Sequence, residues 1–170
     1  DSNRLKKNYI YLTINAFTKY QKFLTRTTKL SIDDNVLLYL SSQNLTNLKS
    51  IRIEGKNNPM KHIETLYNFK NIEEIQIFTY YSKNVETINL NKFGGIESLK
   101  RIYISDVNID LNKDENSIFE LKNLSEVIIT GSFYDRNTYD LLKKRNKYIK
   151  KEFKEKKEKV KFKVKAWKNF

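Results

Sequence analysis

The stretch LKNLSEVIIT, Leu121–Thr130, decides how the chain is read, because close copies of it occur three more times. They are LTNLKSIRIE from Leu45, FKNIEEIQIF from Phe69 and IESLKRIYIS from Ile96. Aligned, they keep three aliphatic columns: Leu48, Ile51 and Ile53; Ile72, Ile75 and Ile77; Leu99, Ile102 and Ile104; Leu124, Val127 and Ile129. A fourth column, three places earlier, holds Leu45, Phe69, Ile96 and Leu121. The last two aliphatics of each copy alternate, so they share one face of a short strand. The earlier ones bury the turn leading into it. One such unit cannot cover its own apolar face, whereas stacked neighbours can.

The steps from Ile53 to Ile77, Ile104 and Ile129 are 24, 27 and 25 residues. With the pattern L-x-x-L-x-L, the stretch from Leu45 to Thr130 resembles the leucine-rich repeat family, in an irregular bacterial type. A weaker unit precedes it, with Leu30 and Ile32 lying 21 residues before Ile51 and Ile53. The family's asparagine, three places after the last strand aliphatic, is replaced by Lys56, Tyr80, Val107 and Ser132. The resemblance implies an α/β solenoid. It would be a short right-handed horseshoe arc, with a parallel β-sheet on its concave side and short helices or turns on its convex side.

Around this centre the chain divides into three. Residues 1–44 read as an N-terminal cap and degenerate repeat, 45–132 as repeats, and 133–170 as a basic C-terminal capping helix and edge strand. In the cap, YIYLTI alternates Ile10, Leu12 and Ile14 as a strand. AFTKYQKFLTR then brings Phe17, Tyr20, Phe23 and Leu24 round at helical spacing. Asp33 or Asp34 is placed to cap a helix over NVLLYLSS, and Pro59 to start one over MKHIETLYNF. After Gly131, Leu142, Ile149, Phe153 and Val160 recur as on a helix. KVKFKVKAW then alternates Lys with Val160, Phe162, Val164 and Ala166, the period of a final edge strand with lysines outward.

Charge is concentrated at that end. The chain has 33 basic and 20 acidic residues; Lys143–Lys168 contains 14 basic and 3 acidic, a net of +11, which leaves +2 for the rest. There are no cysteines, so disulfides, thiol nucleophiles and thiolate metal sites are excluded. No apolar run approaches membrane-spanning length. The chain opens on Asp1 rather than Met, so its N-terminus is expected to be incomplete.

Catalytic signals are thin. His62 is the only histidine, and the four glycines form no phosphate-binding loop. DVNIDLNKDENS alternates Asp106, Asn108, Asp110, Asn112 and Asp114 like a calcium loop. However, Leu111 stands where that loop needs glycine, and Ser117 where it needs glutamate. No catalytic residue, metal or cofactor is therefore assigned. The residues between the strand aliphatics face the other way, onto the concave surface. Their columns are Ser50, Glu74, Arg101 and Glu126; Arg52, Gln76, Tyr103 and Ile128; and Glu54, Phe78, Ser105 and Thr130. All of these, Ser105 included, are expected to face solvent. The expectation is a non-enzymatic interaction module. It would bind a protein partner through Arg52, Glu74, Gln76, Phe78, Arg101, Tyr103 and Ile128. The alternative is nucleic acid or an anionic surface held by Lys157, Lys159, Lys161, Lys163 and Lys165.

Overall fold

Each copy of the repeated stretch becomes a strand in one parallel sheet. A computed structural model describes residues 10–55, 59–79, 87–105, 108–111, 117–133 and 136–168. Its strands are β1 (Ile10–Leu12), β2 (Lys29–Asp33), β3 (Ser50–Gly55), β4 (Glu74–Thr79), β5 (Thr87–Asn89), β6 (Arg101–Ser105), β7 (Asn108–Asp110), β8 (Glu126–Phe133) and β9 (Lys161–Lys168). Seven of them form a sheet in the order β1-β2-β3-β4-β6-β8-β9, with every neighbouring pair parallel. The four repeats are in register: Arg52 lies opposite Gln76, Gln76 opposite Tyr103, and Tyr103 opposite Ile128.

Entry into the sheet is repeated as strictly as the strands. The N–H groups of Lys49 and Ser50 both donate to the Thr28 carbonyl, at 2.9 and 3.0 Å. Those of Glu73 and Glu74 go to Lys49, those of Lys100 and Arg101 to Glu73, and those of Ser125 and Glu126 to Lys100. Lys161 continues the series to Ser125 at 2.8 Å. The turns before β3, β4 and β6 carry a side-chain ladder of their own. Asn47 Nδ2 donates to Thr25 O, Asn71 Nδ2 to Thr46 O and Ser98 Oγ to Ile72 O, each at 2.7 Å. Each turn is thus tied to the previous one through a carbonyl that no strand uses.

Two connecting segments expected as helices are 3₁₀ turns, while the last, at Ile118–Glu120, is the single helical turn its sequence suggests. NVLLYLSS forms a 3₁₀ turn at Asp34–Tyr39, and MKHIETLYNF one at Ile63–Asn68. Further 3₁₀ turns lie at Leu90–Gly95 and Ile118–Glu120. A 3₁₀ helix rises about 2.0 Å per residue against about 1.5 Å for an α-helix, so the same few residues span more of the distance between strands. Asp33 occupies the N-cap position of the Asp34 turn, but its carboxylate accepts from the Tyr11 hydroxyl instead of capping. The Gly94–Gly95 pair closes the Leu90 turn because no side chain fits there. A Cβ on Gly95 would stand 2.6 Å from the Tyr67 ring, whose hydroxyl donates to Lys92 O at 2.7 Å.

At the N-terminal end the expected alternation breaks after one residue. Leu12 is buried, Ile10 is exposed, and Ile14 starts the short helix α1 (Ile14–Tyr20) and remains 38% exposed. A parallel two-stranded sheet, β5 with β7, was not expected. It buries Ile88 against Ile109 on the side of the core away from the main sheet's open face. At the other end α2 (Arg136–Lys156) lays Ile149 and Phe153 onto the core. The Phe153 ring meets Phe119 edge-on and Phe162 face-on, both at 4.9 Å between centroids. One apolar cluster runs from Leu12 to Phe162 and includes every strand aliphatic of the four repeats.

Candidate functional site on the open sheet face

The residues alternating with the core aliphatics line the face of the sheet away from the core. The register aligns them in rows across the strands. The first row is Lys29, Ser50, Glu74, Arg101, Glu126 and Lys161. The second is Tyr11, Ser31, Arg52, Gln76, Tyr103, Ile128 and Lys163. The third is Asp33, Glu54, Phe78, Ser105, Thr130 and Lys165.

This face is not the uniformly solvated surface expected from the alternation. Arg52 is only 4% exposed and Gln76 5%, and Ser31, Ser50, Glu54 and Ser105 are buried as well. The cause is the strand spacing. Strands about 4.8 Å apart let long side chains lie down across their neighbours. Arg52 lies flat, its guanidinium carbon 3.7 Å from the Phe78 ring centroid and its Nε 2.6 Å from Glu54 Oε1. Glu54 also accepts from Ser31 Oγ at 3.2 Å. The Nη1 of Arg52 has no acceptor among the described residues.

A second cluster centres on Glu74. Its Oε1 accepts from Gln76 Nε2 at 2.7 Å and Ser50 Oγ at 3.1 Å, and its Oε2 from Arg101 Nε at 2.8 Å. Burial pushes the Glu74 carboxyl up, but the bonds from Gln76, Arg101 and Ser50, with the Arg101 charge, together hold it below its ordinary value of 4.5. Beyond it the surface turns apolar. Phe78 and Tyr103 stack at 5.3 Å with 27° between ring planes, and the Tyr103 hydroxyl pairs with Thr130 Oγ1 at 3.2 Å. Phe78, Tyr103 and Ile128 are each half-buried, forming a flat apolar strip flanked by the exposed Arg101.

Of the seven residues expected to meet a partner, five thus reach the surface: Glu74, Phe78, Arg101, Tyr103 and Ile128. Arg52 and Gln76 lie beneath it as supports. The sequence reading did not anticipate the joining role of Ser31, Ser50 and Glu54. The row positions of Ser50 and Glu54 were legible, but the Ser31–Glu54 and Ser50–Glu74 bonds join residues 23 and 24 apart.

The lysines of the tail do not form one patch. Lys157 Nζ donates to Leu121 O at 2.6 Å and ties the end of α2 to the last repeat. Lys159 is exposed in the turn that follows. Lys161, Lys163 and Lys165 instead complete the three rows of the open face, with Lys163 Nζ 3.4 Å from Glu126. The apolar strip and the basic strand are therefore neighbours on one sheet.

His62 occupies the N-cap position of the Ile63 turn without capping it. Burial, with the neighbouring Asp33, keeps the Asp34 carboxyl above its ordinary value. Of the calcium-like stretch, Asp106 and residues 112–116 lie outside the described residues, and the Asp110 carboxylate accepts from the Leu111 N–H at 2.8 Å. No described group of histidine and acidic residues could hold a metal ion, and no described helix is long and apolar enough to cross a membrane. No protein-family model matches the chain, and no curated protein or solved structure is significantly similar to it.

Proposed function

We propose that the chain is a short leucine-rich-repeat solenoid and a non-enzymatic interaction module. Its protein partner docks on the open, concave sheet face over Phe78, Tyr103 and Ile128. The observation that carries this reading is the apolar strip itself. Two stacked aromatic rings and an isoleucine stay partly exposed on a face whose surrounding polar side chains are already bonded to one another. Aromatic and arginine side chains on a rigid support are favoured anchors, because little conformational freedom is lost when they are covered. Arg101 and Glu74 at the strip's border supply orientation rather than affinity.

The test is capture of a partner from the source cell by the immobilised chain. It compares the wild type with a Phe78→Ala, Tyr103→Ala, Ile128→Ser variant of matched thermal midpoint. A partner retained by the wild type and released by the variant supports the reading; one held equally by both overturns it. The alternative, polyanion binding through the basic tail, is favoured by the +11 net charge of Lys143–Lys168. It requires affinity that falls steeply with salt.

A further inference from the structure

The two edges of the main sheet differ. One is β1, three residues long. The other is β9, eight residues long, with no strand on its outer side among the described residues. The Lys161 N–H points inward, to Ser125 O. Backbone groups alternate in direction along a strand, so Lys163 and Lys165 also address β8. The N–H and C=O groups of Phe162, Val164 and Ala166 then point outward. Such a row is a template for an added strand.

Two side-chain observations specify which strand would fit. On the open face, Lys161, Lys163 and Lys165 stand about 6.6 Å apart, the repeat of alternate residues in any extended chain. Lys161 and Lys165 are exposed and have no acidic partner among the described residues. On the opposite face, Phe162 is covered by Phe153, but Val164 remains 36% exposed although Ile129, its ladder neighbour, is buried. A strand added beside β9 would bring its own alternate side chains to about 4.8 Å from the lysines on one face and from Val164 on the other.

We propose that β9 is a docking edge for an extended acidic segment of another protein. Its acidic residues would lie against Lys161, Lys163 and Lys165, and its intervening apolar residues against Val164. A second copy of the chain pairing β9 with β9 would set lysine against lysine, which opposes association. A nucleic acid could use the lysines, but its phosphates only accept hydrogen bonds, so its backbone leaves the outward C=O groups unmatched and does not cover Val164. The exposed basic side chains of α2 add a positive field that draws an acidic segment toward this edge. The proposal does not rest on the open face binding a partner.

The probe is a fluorescein-labelled peptide of about ten residues alternating Glu with Val, read by anisotropy near physiological salt. Its control has the same composition with all Glu first. The alternating peptide should bind at least about tenfold tighter, since only it can match the edge hydrogen bonds and both faces together. Val164→Pro removes an outward N–H without touching the β8 ladder, and should weaken binding several-fold at unchanged thermal midpoint. Should that variant fail to fold, the Lys161→Glu, Lys165→Glu chain carries the test. It should lose the Glu–Val peptide and gain a Lys–Val one. Phe78→Ala with Tyr103→Ala should leave peptide binding unchanged, which separates this edge from the open face. Equal binding of the two peptides overturns the proposal, as does a folded Val164→Pro chain that binds normally. Loss of binding with the aromatic variant also overturns it. So does competition by single-stranded RNA that survives Val164→Pro, or self-association that Val164→Pro abolishes.

Discussion

At the scale of single residues, the two faces of the sheet respond to substitution for different reasons. Ile102 is fully enclosed, so Ile102→Ala should cost about 2–5 kcal/mol in a denaturant titration, through lost burial and a residual cavity. On the other face Arg52→Ala should also be severe, about 3–5 kcal/mol, because it leaves the buried Glu54 carboxylate without its cation. Arg52→Ala combined with Glu54→Gln should recover part of that loss, and a double-mutant cycle measures the coupling. Ser105→Ala should cost far less than Ile102→Ala, about 1 kcal/mol, although its hydroxyl is buried and not in solvent as the alternation implies. Glu74 makes stability depend on pH. Held below 4.5 in the fold, it binds fewer protons there than in the unfolded chain. Its contribution is therefore complete above 4.5 and disappears as pH falls through the lower folded value. Thermal midpoints measured down through that window should fall less steeply for Glu74→Gln than for the wild type.

At the scale of elements, α2 and β9 act as one unit joined by the Phe119, Phe153 and Phe162 rings and by Lys157 on Leu121 O. Phe153→Ala should cost about 3–5 kcal/mol. In hydrogen exchange it should deprotect α2 and β9 ahead of β3, β4 and β6, whose contacts it leaves intact. Uniform loss of protection along the whole chain would mean that the terminal unit is not separable. The helix itself was legible from the spacing of Ile149 and Phe153. The 3₁₀ turns were not. An apolar face at three- or four-residue spacing is shared by α and 3₁₀ turns, so spacing alone does not choose between them. The β5–β7 pair was hidden because three-residue strands carry too little pattern.

At the scale of the whole molecule, the charge imbalance has two possible outlets, and they respond differently to salt. If the basic end is covering and docking edge, duplex DNA should bind negligibly near physiological salt. Replacing Lys157, Lys159, Lys161 and Lys163 with Gln should then leave that result unchanged. Micromolar binding under those conditions, steeply salt-dependent and lost in the Gln variant, would instead favour the polyanion reading. The structure separates these lysines by task. Lys157 holds the last repeat, while Lys161 and Lys163 stand on the open face, so their substitutions should not be equivalent.

The parallel register of β3, β4, β6 and β8 was determined by the sequence alone. A period-two pattern repeated at nearly constant spacing leaves one stacking that buries every aliphatic column. The same alternation assigned each side chain to a face, and Ile51, Ile75, Ile102 and Val127 lie inside as it requires. Only the tertiary structure decided what the outward residues do. Arg52 is buried because Glu54 on its own strand and Phe78 on the next lie against it, and Glu74 is held low by donors from three strands. It also decided that β9 continues the repeat rows. That pairing joins residues more than 30 apart across a helix, and no local pattern encodes contacts at such a distance.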